Sequence, residues 1–304
     1  MQTLVTGGAG FIGSHLVDKI IEKGHSVRVI DDLSTGKKEN LNSTAEFIEA
    51  DICDFEKIKP LFKGADVVFH LAAIPRMLVS VEDPVSTSKV NILGTVNVFK
   101  ASKDNDVKKV VFASSSSIYG SQKHDALKEE MKPNPLNPYG LQKLVGEQFA
   151  QMFFSLYQLP VISLRFFNVY GSRLEFNSDY SLVLGKFLKL KQEGKPLTIY
   201  GDGEQTRGFC YVLDTVRAAI LAAENNNLKG NEIINIGSET SQSVNYLAKL
   251  IGGEKEFLPP RPGDPLHTKA DISRAKELLN WQPEISFEQG VKLTQEWFKK
   301  TLNT

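Results

Sequence analysis

Six short runs dense in Val, Ile, Leu and Phe are separated by stretches of helical period. They are Thr3–Thr6, Val27–Ile30, Phe47–Glu49, Val67–His70, Lys109–Ala113 and Val161–Phe166. Most are near-continuous rather than alternating, the pattern of strands buried on both faces. The helical stretches include Phe11–Glu22, stopped by Gly24, and the longer Pro84–Asn105 and Pro138–Tyr157. Strand and helix in alternation build a parallel sheet with helices on both sides. The predicted fold is therefore α/β, a doubly wound Rossmann sheet.

The second half is less regular. Ser181–Glu193, Asp214–Asn225, Ser243–Ile251 and Ser286–Thr301 read as helices, and Thr198–Tyr200, Phe209–Val212 and Glu232–Ile236 as short strands. Pro259, Pro260, Pro262 and Pro265 mark an extended loop. The expected division is a Rossmann domain over 1–167, to which segments around 207–237 return, and a smaller α/β C-terminal lobe over 168–304.

Composition narrows the partners. Lys+Arg and Asp+Glu both count 36, so the net charge is zero and nothing favours nucleic acid or an anionic membrane. An anionic ligand must then be met by local Arg or Lys or by helix N-termini. The 304 residues suffice to bury a core without disulfides or a structural metal. Cys53 and Cys210 lack C-x-x-C spacing, so neither a disulfide framework nor a zinc site is expected, and Cys53 reads as a small apolar filler. No leader-like segment precedes the first strand and no apolar run is long enough to span a bilayer. The expected setting is the reducing cytoplasm.

The turn Thr6-Gly-Gly-Ala-Gly-Phe-Ile-Gly13 follows the first strand and opens the first helix, and Gly8, Gly10 and Gly13 read as G-x-G-x-x-G. Such glycines allow a tight turn, close approach to a pyrophosphate and helix-on-strand packing, and the first-turn N–H groups then face the phosphates. Asp31 ends the second strand about 20 residues on, where an acid holds the adenosine ribose 2′-hydroxyl and repels a 2′-phosphate. No arginine follows it, and Lys37 and Lys38 lie several residues away, so NAD is the expected cofactor. Asp51 either meets the adenine amino group or caps the helix over Asp54–Lys59. His70-Leu-Ala-Ala73 ends the fourth strand in small residues, suiting a dinucleotide across the strand ends, and His70 itself reads as a packing residue.

Tyr139 and Lys143 stand four apart on the helix that opens at Pro138, and so share a face. A phenol of pKa ~10 becomes a useful base near neutral pH only when an adjacent cation stabilises the phenolate. Ser114-Ser-Ser-Ser117 follows the fifth strand, at the carboxyl edge where ligands bind in open α/β sheets. It is either a source of a catalytic hydroxyl or simply a polar turn.

Together with Arg165-Phe-Phe-Asn-Val-Tyr-Gly171, Tyr200-Gly-Asp-Gly-Glu-Gln-Thr-Arg207 and Arg261-Pro-Gly-Asp264, these motifs resemble the extended short-chain dehydrogenase/reductase family. Within it the chain is most similar to the UDP-glucose 4-epimerase group. The resemblance implies an NAD-binding Rossmann domain and a substrate-binding C-terminal lobe. It further implies catalysis by Ser115, Tyr139 and Lys143: Tyr139 takes the proton of the sugar 4-hydroxyl as hydride leaves C4, and hydride returns to the other face of the 4-keto sugar. It assigns the cofactor to Gly7, Gly10, Phe11, Ile12, Gly13, Asp31, Asp32, Ser34, Thr35, Gly36, Asp51, Ile52, Leu71, Ala72, Ala73, Asn91, Ser114, Tyr139, Lys143 and Phe166. It assigns the nucleotide-sugar to Ser115, Ser116, Tyr139, Asn168, Leu182, Val183, Thr198, Tyr200, Arg207, Arg261, Asp264 and Thr268, with Arg207 and Arg261 on the diphosphate. Asn168, Arg207 and Arg261 have the alternative reading of solvated loop polarity. No metal is implied. A homodimer is, packed through Pro84–Asn105 and Pro138–Tyr157.

Departures from relatives sharpen the reading. Dehydratases of this family carry an Asp-Glu pair where Ser116 and Ser117 stand, and decarboxylases a Glu at the place of Ser117. Glu175 would repel a sugar carboxylate if it faced the pocket, which disfavours uronates. Thr268 is small where family members restricted to plain hexoses carry a bulky aromatic, so room for an N-acetyl group is expected. The alternatives are a uronate 4-epimerase or NAD-linked nucleotide-sugar reductase, and a non-catalytic dinucleotide sensor. The joint presence of Ser115, Tyr139 and Lys143 speaks against the last.

Overall fold

The computed structural model describes residues 1–75, 77–122, 126–177, 182–260 and 267–302. The strands β1 (Gln2–Thr6), β2 (Ser26–Asp31), β3 (Glu46–Glu49), β4 (Val67–His70), β5 (Lys109–Ser115) and β6 (Val161–Phe166) join Ile233–Ile236 in one seven-stranded sheet. Its order is Ile233–Ile236, β6, β5, β4, β1, β2, β3, and every pair is parallel. The apolar runs are continuous because both faces are covered. One face carries Val5, Val29, Val111 and Leu164 under α1 (Phe11–Glu22) and the helix Val212–Glu224. The other carries Leu4, Val68, Val110 and Phe112 under the helices Thr95–Asp104 and Pro138–Tyr157.

Strand order reverses between β1 and β4, where Thr6 pairs with His70. The turns leaving these two strands therefore splay apart, and the crevice between their carboxyl ends is the ligand position of an open α/β sheet. The glycine turn and the Leu71–Ala73 segment form its two lips.

The remaining core belongs to the lobe, where Val169, Phe187, Ile199, Leu247 and Phe298 pack together. Strand Lys255–Leu258 runs parallel to Leu197–Tyr200 and was not foreseen, nor were the short helices Met77–Glu82 and Ser273–Leu279. Their periods are too short to stand out from loop sequence. Ala270, Ile272, Ala275, Leu279 and Trp281 pack beneath the sheet rather than in the lobe core.

The stretch Pro84–Asn105, expected as one helix, has three parts. An α-helical turn over Pro84–Ser88 passes into a π-helix over Lys89–Gly94 and then an α-helix over Thr95–Asp104. Asn91 lies at the widened turn with its side chain turned into the protein.

Candidate active site

The glycine turn shows why its residues are as they are. Gly7 has φ +75°, and a Cβ there would stand 2.6 Å from the Ala72 nitrogen on the opposite lip. A Cβ on Gly13 would lie 2.1 Å from the Gly7 carbonyl oxygen, so the first turn of α1 rests directly on the turn backbone. The helix N-terminus has no side-chain cap and no acid in its first turn. Its unpaired N–H groups and positive dipole end are left for an anion, as a dinucleotide pyrophosphate requires.

Asp31 is buried beside this turn. One carboxylate oxygen accepts from the Ala9 N–H at 2.9 Å and the other from the Leu33 N–H at 2.9 Å. Burial pushes its pKa up, opposed by those two hydrogen bonds. Each oxygen keeps a further lone pair, so the group that shapes the turn can also accept from a ribose hydroxyl. Asp32 holds Ser34 through its backbone N–H and hydroxyl, while Thr35 is exposed and Gly36 half-buried beside Asp31. Lys37 points to the lobe, where Nζ lies 3.5 Å from Glu175 and 5.9 Å from the Phe176 ring centroid.

Asp51 is not the cap of the next helix. That helix spans Phe55–Ile58, and Asp54 caps it by accepting from Lys57. Asp51 instead accepts from the Cys53 N–H at 2.8 Å, an Asx turn that ends the β3 loop beside buried Ile52. Cys53 is half-buried, and its thiol approaches the Lys89 carbonyl. On the other lip, Thr6 ties down the β4 exit through its oxygen to Leu71 and its hydroxyl to Ala72. His70 is fully packed, bonded to Thr6 and Thr95 and stacked on Phe112. Burial, assisted by the Lys143 charge, pushes its pKa to about 3, so it is a neutral packing residue.

Asn91 accepts from the Ile74 N–H at 2.8 Å and donates to the Ile74 oxygen at 3.1 Å and to Gln142 at 2.7 Å, which engages both its donors within the protein. Its side chain fixes the β4 exit to the Pro138–Tyr157 helix. Ser114 donates its hydroxyl to the buried Glu147 carboxylate at 2.6 Å.

The Pro138–Tyr157 helix starts where its first residues require. Asn137 accepts from the Gly140 N–H, Pro138 occupies the first turn, and the Tyr139 N–H donates to Ser80 at 3.1 Å. Tyr139 and Lys143 share one face, with Lys143 Nζ 5.9 Å from the Tyr139 ring centroid and 4.9 Å from that of Phe112. Lys143 Nζ donates to the Ala113 carbonyl at 2.7 Å. Burial drives its pKa down to about 7, with the Glu147 carboxylate pulling the other way. Ser115 ends β5 as the cap of a short helical turn. Its hydroxyl accepts from the Ser117 N–H and donates to the Ser117 hydroxyl, both at 3.1 Å, and Ser116 is half-buried beside it. The helix start and the serine turn touch, since a Cβ on Gly140 would come within 2.5 Å of the Ser117 oxygen. The serine turn and the Lys143 amine thus meet at the carboxyl end of β5, with the Tyr139 ring beside the amine. That is the arrangement proton transfer beside a nicotinamide needs.

The lobe adds a second set of polar groups. Asn168, at φ +36°, donates to the Gly208 oxygen and to the Thr268 hydroxyl, both at 3.3 Å. Arg207 and Thr268 are register partners on adjacent short strands. Tyr200 lies under Lys186, with Nζ 5.5 Å from the ring centroid. Thr198 holds a buried hydroxyl with no hydrogen-bond partner among the described residues. Leu182 is exposed and Val183 half-buried at the start of the helix Val183–Gln192. Phe166 packs between the sheet and lobe cores, as Ile12 does, while Phe11 packs against the lobe core. Arg261 and Asp264, along with the loop prolines 262 and 265, lie outside the described residues.

Sequence reasoning overlooked Gln142, Glu147 and Thr6 as supports of the site. Glu147 had a usable signal, since it stands one turn beyond Lys143 on the same helix face.

A family model described as the NAD dependent epimerase/dehydratase family matches residues 3–237. The chain is 38% identical to the UDP-glucose 4-epimerase of Mycolicibacterium smegmatis, over 98% of this chain and 99% of that one. A solved UDP-glucose 4-epimerase from Thermotoga maritima, with UDP-glucose, superposes with TM-score 0.95 at 41% identity, covering 99% of this chain and 100% of that one. A UDP-N-acetylglucosamine 4-epimerase from Methanobrevibacter ruminantium, with UDP-N-acetylmuramic acid, gives TM-score 0.93 at 38% identity over 99% and 98% of the two chains. On this match, with its glycine turn, uncapped first helix and Asp31 in place, the chain belongs to the NAD-dependent epimerase/dehydratase family and uses NAD as its cofactor.

Proposed function

We propose that the protein interconverts UDP-hexoses by inverting the 4-hydroxyl, acting on the UDP-glucose/UDP-galactose pair and on the corresponding N-acetylhexosamine pair. The observation that carries this reading is the meeting of Tyr139, Lys143 and the Ser115 turn at the carboxyl end of β5. When bound, NAD⁺ supplies an acceptor for the hydride of the sugar C4 and a donor that returns it. Tyr139 accepts the proton of the 4-hydroxyl and gives it back after the ring has turned over. Ser115, its hydroxyl oriented by Ser117, bridges that oxygen and the phenol. Lys143, fixed by the Ala113 oxygen, steadies the phenolate when protonated. Neither Ser116 nor Ser117 is an acid or base able to expel water or promote decarboxylation, which supports simple epimerisation.

Arg207, Asn168 and Arg261 are proposed to grip the diphosphate, and Thr268 to leave space for an N-acetyl group. Burial raises the Glu175 pKa, but the Asn177 N–H and then the Lys37 charge more than offset it and hold it below the usual value, and with Lys37 answering its charge Glu175 repels a uronate less. A panel of UDP-glucose, UDP-galactose, their N-acetyl counterparts and UDP-glucuronate, with products separated, decides the matter. Conversion of the first two pairs is expected, and turnover of the uronate alone would overturn the reading. We also propose a homodimer formed through the Pro138–Tyr157 and 84–104 helices, supported by the exposed Val85, Leu93, Leu141, Met152 and Leu156. A cytoplasmic setting accords with the two free thiols.

A further inference from the structure

We infer that Glu147, paired with Arg165 between the sheet and the Pro138–Tyr157 helix, is a positioning residue that holds Ser115 and Lys143 in their working places. The inference rests on the 4-epimerase reading. Both side chains of the pair are 2% exposed. Arg165 forks onto the carboxylate, with Nε at 2.9 Å from one oxygen and Nη2 at 2.7 Å from the other. The first of those oxygens also accepts from Ser114, the register partner of Arg165 and the residue just before Ser115. Arg165 stacks over the Tyr119 ring, whose hydroxyl donates to Asn235 on the next strand. One carboxylate thus joins β5, β6 and the catalytic helix directly below the serine turn, and lies one helical turn from Lys143.

Stability alone gives a weak reason for such a pair. A buried ion pair seldom outperforms an apolar pair of similar volume, because desolvation offsets most of the attraction. Its charge does act on Lys143. The titratable or charged groups around that amine are Tyr139 and Glu147 on its own helix, neutral His70 from β4, and Arg165 from β6 beyond Glu147. Among them Glu147 is the anion that favours the ammonium.

The test compares the wild-type holoenzyme with E147Q/R165M, which removes both charges together, and with S114A, which cuts only the link to β5. Displacement of a reacting group by ~1 Å can cost ~10²-fold. The double variant is therefore expected to lose at least about tenfold in kcat with KM nearly unchanged, and its alkaline limb of kcat moves to lower pH. S114A is expected to lose kcat without moving that limb. A folded double variant with the parent kcat and pH profile overturns the inference, and if that variant does not fold, parental kcat in S114A does so. A chemical-shift titration of Lys143 reads the same displacement without turnover. Absence of turnover in the wild type would sink the epimerase reading, and an unmoved Lys143 titration in the variant would sink this one.

Discussion

Lys143 reaches from the Pro138–Tyr157 helix to the Ala113 carbonyl oxygen, 2.7 Å away and two residues before Ser115. The bond pins the amine at the strand end but buries it. Its pKa falls to about 7 from an ordinary 10.5, chiefly through desolvation. Between those values the unfolded chain binds a proton that the folded protein does not, so this group makes stability rise with pH from about 7 to 10.5. Below about 7 the full penalty is present. Lys143→Met is expected to melt higher than wild type at pH 7, less the ~1 kcal/mol of the lost hydrogen bond, and to be inactive. Melting curves across this range should show its advantage shrinking as pH rises, and a constant or growing advantage would contradict the assignment.

Tyr139→Phe removes the proton acceptor while keeping the ring. Proton transfer by a positioned group contributes ~10²–10⁴-fold, so kcat is expected to fall by at least 10²-fold with little change in the melting temperature. Steady-state kinetics with UDP-galactose checks this, and near-normal turnover would rule out the phenol as the base.

Gly13→Ala places a methyl group 2.1 Å from the Gly7 oxygen. Overpacking typically costs about 1–3 kcal/mol, and relief requires the first turn of α1 to lift away from β1. The expected result is a less stable protein that releases NAD on purification. Absorbance of the released cofactor measures the loss, and full retention would show that α1 adapts without moving.

Leu156 is 64% exposed and Val85 79% exposed, on the two helices proposed to meet a second copy. Glutamate at both places puts like charges into an apolar contact. Sedimentation is expected to show dimers for the wild type and monomers for the double variant, and a monomeric wild type would remove the proposed interface.

The sheet was legible because its signals are local. Burial on both faces leaves continuous apolar runs, and β4, β6, α1 and the Pro138–Tyr157 helix lie where period and glycine stops put them. What went unread depended on neighbours distant in the chain. Asp51 and Asp54 are both plausible caps by type, and the path of the chain into Phe55–Ile58 chose Asp54. The long helix acquires a π turn where Asn91 reaches back to Ile74 and across to Gln142, contacts that no helical period encodes.

By itself the sequence determined the class of sheet, the dinucleotide turn and the shared helix face of Tyr139 and Lys143, because strand burial, glycine geometry and side-chain spacing on a helix are short-range properties. The tertiary structure decided which polar groups face the crevice and which lie beneath it. Ser114 and Ser115 are adjacent in the chain, yet one bonds downward to Glu147 and the other caps the turn above. Successive residues leave a strand on opposite faces, and only the packed helix shows which face holds a buried carboxylate.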